Sequence, residues 1–433
     1  MCAPLGGGKD GMNNRIAVRL AAIAALTALL GACASAGRKD NSLPNDGVRA
    51  SSDVTGIYGS PPYTIDPGLV PQVAFWRQVF ADWSLADVAL HDDEYLGLVY
   101  TVIRTPGTVT DQYSPAQREY VRQRTVALEN QLRNLERKAR TGDPLSYAEQ
   151  ALASTITRAA GPGAIAGASE RVRAQRGLRE RFRRGVEISG RYDAIFRQIF
   201  REAGLPEDFA YLPHVESSFQ AHARSSAGAA GIWQFTLPAA RTYMNVHPSL
   251  DPRLDPVSAA RGAANYLGHA YKVLGNWPLA VTSYNHGIRG MQNAKRRYGT
   301  DMGRIVREYD GKNFGFASRN FYAEFLAARE VASQPRRFFP EGIQYEPPQD
   351  WERIVLDRRT RASELASRYH VGMSQLIALN PAWTPAAWRG RVALPAGTEV
   401  WLPPGTLSRA EQSAGDAAQE LAQAPPPSRL QRL

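Results

Sequence analysis

Apolar residues recur at helical spacing along two long stretches of this 433-residue chain, and that spacing predicts most of its elements. In the first stretch, Phe75, Val79 and Phe80, then Val121, Leu128, Leu132 and Leu135, mark one face of successive helices. They predict an all-helical N-terminal region over 73–170. Gly161-Pro162-Gly163 interrupts it. No predicted strand precedes Gly161–Gly167, so its glycines read as a flexible connection and not as a dinucleotide-binding fingerprint. Helical spacing resumes from Arg171 to Ala332. Asp255-Pro256 supplies an N-cap and first turn, Val257, Ala260, Ala264, Leu267, Tyr271 and Leu274 share a face, and Gly275 ends the helix. This predicts a compact helical domain over 171–340. Past Pro347 the pattern changes to a strand at Arg353–Leu356, helices at Ser363–Tyr369 and Met373–Leu379, and a strand at Glu399–Leu402, a small separate βααβ module over 352–404. Residues 34–72, rich in Gly, Ser, Pro and Asp, read as a tether, and 405–433 as a disordered tail. The expected fold class is mainly α.

The N-terminus follows a different rule. Arg15 and Arg19 precede an apolar run from Leu20 to Leu30 that is short for a membrane span, and Leu30-Gly31-Ala32-Cys33 follows, the layout of a secretory signal over 1–33. That tetrapeptide resembles the lipobox of bacterial lipoproteins, which implies that Cys33 is lipidated and becomes the mature N-terminus; Met12 is an alternative start. With Ala34 after the cysteine in place of the Asp that in this lipoprotein class retains proteins at the inner membrane, the resemblance implies the outer membrane, facing the periplasm. An ordinary secreted protein is the bland alternative.

With 43% hydrophobic residues the chain can build sizeable cores, and a net charge of +11 favours anionic partners. Arg171, Arg173, Arg176, Arg179, Arg181, Arg183 and Arg184 fall in one predicted helical stretch, either a solvated face or an anion site. An export signal and the absence of a nucleic-acid motif argue against nucleic acid. The two cysteines, Cys2 and Cys33, make neither a disulfide framework nor a zinc site. His214-x-Glu216 lacks the downstream cysteine pair of zinc deaminases, so no metal and no cofactor are expected. His286 is a weak candidate for substrate contact.

The candidate chemistry sits in Gly204–Phe219. Pro206, Glu207 and Asp208 open a helix, and Pro213 is expected to kink or end it near Glu216. Burial against Phe219, Trp233 and Tyr284, together with the negative helix end, would raise the Glu216 pKa and suit it to general acid work. Ser225–Phe235 follows, its small residues opening the backbone to a polymer and Trp233, Gln234 and Phe235 offering a ring surface and an amide, unless the rings are simply core.

Val215-Glu-Ser-Ser-Phe219, Gly231-Ile-Trp-Gln-Phe235 and Ser283-Tyr-Asn-His-Gly287 resemble, in order and spacing, the signature motifs of lytic transglycosylases related to goose-type lysozyme. The nearest likeness is to the membrane-bound murein transglycosylase D branch, and Phe314–Phe325 resembles the same branch. The resemblance implies a lysozyme-like helical catalytic domain. It implies Glu216 as the single catalytic residue, Ser217 as the neighbour that steadies it, and Gln234, Tyr284 and Asn285 beside the substrate; Ser217 and Ser226 of the small-residue loop are expected to bind the substrate as well. The implied reaction cleaves the bond between N-acetylmuramic acid and N-acetylglucosamine in peptidoglycan strands without water, leaving 1,6-anhydro ends, and the three motifs contain no second carboxylate. Ser363–Leu402 resembles a LysM module, which implies a glycan-binding role. A water-using muramidase and a catalytically inactive wall-binding lipoprotein are the alternatives.

Overall fold

The computed structural model describes residues 65–413. The leader with Cys33, residues 34–64 of the expected tether and residues 414–433 of the expected tail lie outside them. Helix α1 (Val70–Ala81) is followed by β1 (Asp87–Asp92), β2 (Val99–Arg104), the long α2 (Pro115–Thr141), α3 (Tyr147–Ala160) and β3 (Val172–Arg176). Ten helices then build a body: α4 (Arg179–Ser189), α5 (Asp193–Glu202), α6 (Leu212–Glu216), α7 (Leu237–Tyr243), α8 (Pro256–Leu274), α9 (Trp277–His286), α10 (Ile288–Tyr298), α11 (Met302–Glu308), α12 (Phe316–Ser333) and α13 (Pro335–Phe338). The last segment runs β4 (Glu352–Val355), α14 (Ala362–Tyr369), α15 (Met373–Leu379), α16 (Pro385–Trp388) and β5 (Glu399–Leu402). The fold is mainly helical. Among the described residues no helix is long and apolar enough to cross a membrane.

The N-terminal region is not all helix. β1 is the centre of an antiparallel sheet in the order β2-β1-β3. Val99-Tyr-Thr-Val-Ile103 is a β-branched and aromatic run of the kind that fits a pleated surface. Period-2 alternation then splits β1 between two cores. Val88 and Leu90 join Leu128, Leu132, Leu135 and Ile156 of α2 and α3, whereas Ala89 belongs to the core of the body and the His91 ring lies 4.5 Å from Phe75. The sheet is thereby clamped between α2 and the body.

Two further expectations change for related reasons. Arg171, Arg173 and Arg176 sit on or beside β3 and not on a helix. Arg171 reaches back to Asp92, Nε to Oδ2 at 2.9 Å, pinning β3 to β1. Gly161–Gly167 is not a slack connection, because two 3₁₀ turns, Pro162–Ile165 and Ala168–Glu170, bury Ala164 and Ala168. The tether also ends early: Leu69 is buried, and Asp66 accepts a hydrogen bond from the Gly303 amide at 2.9 Å.

In the body, α1 lies along α12, α12 packs on α6 and α9, and α8 packs on α5 and α9. The capping signals of α8 are in place. Asp255 accepts from the Ser258 amide at 2.6 Å, and Gly275 stops the helix at φ 64°. Tyr271, expected on the buried face, is exposed and stacks on Trp277.

The last segment has its own core, including Leu365, Leu376, Leu394, Val400 and Leu402, but it is docked on the body. Trp401 donates from Nε1 to Asp255 at 2.9 Å, Arg261 pairs with Glu399 at 2.5 Å, and the Asp251 amide donates to the Ala382 carbonyl at 2.7 Å. A cavity of about 280 Å³ lies at this junction. The start of the expected tail continues the segment: Thr406 is buried, and the Gly405 and Leu407 amides donate to Glu352 at 2.7 Å.

Candidate active site

Pro206 precedes a 3₁₀ turn, Glu207–Tyr211, and a new helix, α6, begins at Leu212. Pro213 therefore stands in the first turn of α6, where its missing N–H leaves no bond unmade; it starts a helix instead of kinking one. α6 is only five residues long and ends at Glu216. The chain then turns sharply. Ser217 and Phe219 both donate their amides to the Pro213 carbonyl, at 3.0 and 3.2 Å, and Ser218 and Phe219 adopt φ 50° and 60°. Non-glycine residues in the left-handed region are uncommon. Here the conformation is held by burial of Phe219 against His214 and Phe196.

Ser217 is buried, and its hydroxyl donates to the Ile232 carbonyl at 2.8 Å. It ties the end of α6 to the second motif. Ser217→Ala should lower stability by about 1–3 kcal/mol, because the Ile232 carbonyl loses its buried donor. The midpoint of urea unfolding measures this.

The second motif is a tight loop. Trp233 and Phe235 are core and offer no sugar-binding surface; Trp233 donates from Nε1 to the Pro256 carbonyl at 3.2 Å. Gln234, at φ 47°, donates its amide to the Gly231 and Ala223 carbonyls at 2.8 and 3.2 Å, so its donors brace the loop. Ser226 is exposed in the turn that Ser225 and Gly228 close, and it does not line the cavity at Glu216.

The third motif forms the end of α9. Tyr284 donates to the Trp233 carbonyl at 3.0 Å. Burial and then the Glu216 charge push its hydroxyl pKa well above the ordinary value. Asn285 accepts from the Ser318 hydroxyl at 2.7 Å and lines the cavity. His286 packs its ring against Phe314, and burial lowers its pKa.

These elements bring Glu216 and Asn285 to one cavity of about 200 Å³, with Phe316, Phe321 and Glu324 of α12 and a second wall from the N-terminal sheet. The Glu216 carboxyl is pushed up to about 8, first by burial and then by the charge of Glu324. Glu324 is itself raised to about 8 by burial, which Arg173 partly offsets. Sequence reasoning misses this second carboxylate, although Phe314–Phe325 stands out as a motif; only the packing of α12 on α6 brings residue 324 beside residue 216. His214 is buried between Phe182 and Phe219, and desolvation lowers it to about 3, so it is a neutral core residue. Among the described residues no group of three or more His, Cys, Asp or Glu is placed to hold a metal ion.

Residues 193–305, which contain all three motifs, match the family model described as the transglycosylase SLT domain. The chain is 26% identical over 189 residues to membrane-bound lytic murein transglycosylase D of Escherichia coli, covering 42% of this chain and 40% of that protein. It is 35% identical over 100 residues to a putative tributyltin chloride resistance protein of an Alteromonas species, covering 22% of this chain and 48% of the other. The chain thus spans less than half the length of these curated relatives. Among solved structures, lytic transglycosylase Slt of Pseudomonas aeruginosa, in an inactive variant, aligns at 20% identity with a TM-score of 0.28, over 37% of this chain and 26% of that one.

Proposed function

We propose that this protein is a lytic transglycosylase that cleaves the glycan strands of peptidoglycan, with Glu216 as its acid and then its base. The observation that carries the reading is a carboxyl pushed up to about 8 at the end of α6, where the segment that matches the SLT domain brings Glu216 and Asn285 to the cavity. A carboxyl protonated at neutral pH can donate to the glycosidic oxygen. The muramic acetamido group assists as the bond breaks, and Glu216, now a carboxylate, takes the proton of the muramic C6 hydroxyl as it closes on C1. Water is not consumed, and the product ends in 1,6-anhydromuramic acid. Asn285 at the cavity and Tyr284 behind it hold the reacting sugar and the wall it rests on.

The same reading extends to the rest of the chain. The β4–β5 segment acts as a LysM-like glycan-binding module, supported by its strand and helix order. Cys33 anchors the enzyme by lipid to the outer membrane on its periplasmic face, where it remodels the wall.

Glu324 favours one second reading. Inverting and retaining glycosidases use two carboxyl groups flanking the bond, and Glu324 lines this cavity as well as Glu216, so hydrolysis on the same fold is the competing reaction. Mass spectrometry of digested peptidoglycan separates the two. Anhydro ends that carry no label from ¹⁸O-water establish the transglycosylase, and labelled reducing ends establish the hydrolase.

Glu324 also sets a pH prediction. Glu216 acts as an acid only while protonated, so kcat/KM should fall as pH rises through about 8. Glu324→Gln removes the second cause of that elevation and lowers the Glu216 pKa. The alkaline limb should therefore move to lower pH while anhydro products persist. A limb that stays in place would show that Glu324 does not couple to the acid.

A further inference from the structure

The cavity at Glu216 has a wall that does not come from the SLT-matching segment. Three arginines line it, Arg173 and Arg176 of β3 and Arg181 of α4, together with Asp111 and Tyr113 of the loop after β2. Arg176 is fully engaged in holding that loop. Its guanidinium donates to the carbonyls of Leu85, Asp111 and Thr110 at 2.6, 2.8 and 2.6 Å and stacks on Tyr113. Arg173 is held differently. Its guanidinium lies 3.8 Å over the Phe316 ring, and its Nε is buried without a hydrogen bond. Burial weakens the hold of both Arg173 and Arg181 on their protons, the mark of desolvated cations.

Three guanidiniums line the cavity against Asp111 and two carboxyls, Glu216 and Glu324, whose ionisation burial opposes, and Asp93 and Glu324 are the anions that act on Arg173. A partly desolvated guanidinium that lines the cavity on a ring that fixes its plane is suited to a carboxylate, which its fork can grip with two bonds.

We propose that this wall is a carboxylate-binding subsite beside the cleavage position, with Arg173 as its anchor and Arg181 as a second cation, and that it takes the anionic groups carried on the muramic side of the strand. The inference rests on the proposed substrate. Peptidoglycan offers such carboxylates from two sources, the stem peptide and, where the peptide has been removed, the lactyl group of muramic acid. The N-terminal sheet then has a function: it delivers β3 to the cavity and makes the enzyme read the substituent on the sugar as well as the sugar.

The test compares three strands: peptide-bearing, freed of peptide by an amidase, and peptide-bearing with every carboxyl converted to an amide. The wild-type protein should prefer at least one carboxylate-bearing strand over the amidated one by about tenfold in kcat/KM, as expected for a charge-assisted pair. Whichever of the first two is preferred identifies the source. Arg173→Gln should collapse that ratio towards one, and Arg173→Lys should keep part of it. Equal cleavage of all three by the wild type would overturn the proposal, as would an Arg173→Gln variant that lowers all three alike. Binding of the same strands to Glu216→Gln reads the ratio without turnover. Absence of cleavage would therefore count against the transglycosylase, whereas equal binding would count against the subsite.

Discussion

Glu216→Gln is expected to reduce peptidoglycan cleavage by about 10³- to 10⁴-fold, the upper part of the range for general acid–base catalysis, because in the proposed mechanism one side chain serves both proton transfers. The exchange keeps size and hydrogen-bonding shape while removing the transferable proton. It should not harm the fold. Burial raises this carboxyl, so the native site opposes its ionisation, and a neutral amide there relieves that cost. The variant should therefore melt at or above the wild-type temperature while turnover collapses, a combination that separates loss of chemistry from loss of structure. Its residual products are equally informative. Traces of labelled reducing ends would show Glu324 supporting hydrolysis, and activity within tenfold of wild type would remove Glu216 from the mechanism altogether.

That prediction is open to a reader of the sequence, because the residues that define it are local. A proline before a carboxylate announces a helix boundary, and Asp255 and Gly275 announce another; in each case the signal is backbone chemistry acting within a few positions. The detail differs only in that Pro213 opens α6 where a kink is expected. The sheet is harder to see. β1 and β2 are six residues each, and the long amphipathic α2 beside them dominates any periodicity taken over the region. With β1 and β3 hidden in this way, Arg171, Arg173 and Arg176 read as part of a helix.

Glu324 is illegible for a different reason. It is separated from Glu216 by more than a hundred residues and sits in a helix of ordinary composition, and only tertiary packing gives it meaning. The motif residues show the converse. Ser217 and Gln234 resemble substrate contacts in sequence, yet their hydrogen bonds run to the carbonyls of Ile232, Gly231 and Ala223. Their work is to hold two loops in fixed relation to the acid. The geometry around Glu216 is thus maintained by contacts between loops, and the most constrained residue of the second motif has no side chain.

Gly231→Ala should cost about 3 kcal/mol and lower the melting temperature by roughly 5–10 °C. Gly231 has φ 80°, and a Cβ there would lie 1.8 Å from the Arg253 carbonyl oxygen and 2.9 Å from its carbon. Backbone on both sides of the contact cannot rotate away as a flexible side chain could. Arg253 is itself fixed by its ion pair with Asp251 at 2.8 Å and by a bond to the Gly228 carbonyl at 2.9 Å. The loop must therefore shift. Its neighbours Ile232 and Trp233 carry the carbonyls that receive Ser217 and Tyr284, so the displacement passes to both ends of the site. Activity should fall by more than the loss of folded protein accounts for. Gly228→Ala is the matched control, since Gly228 has nearly the same φ, 78°, but nothing within 4 Å of where its methyl group would lie. It should show only the left-handed penalty of about 1 kcal/mol. Equal melting points for the two variants would mean that the approach of Gly231 to Arg253 is not what holds the second motif against Glu216.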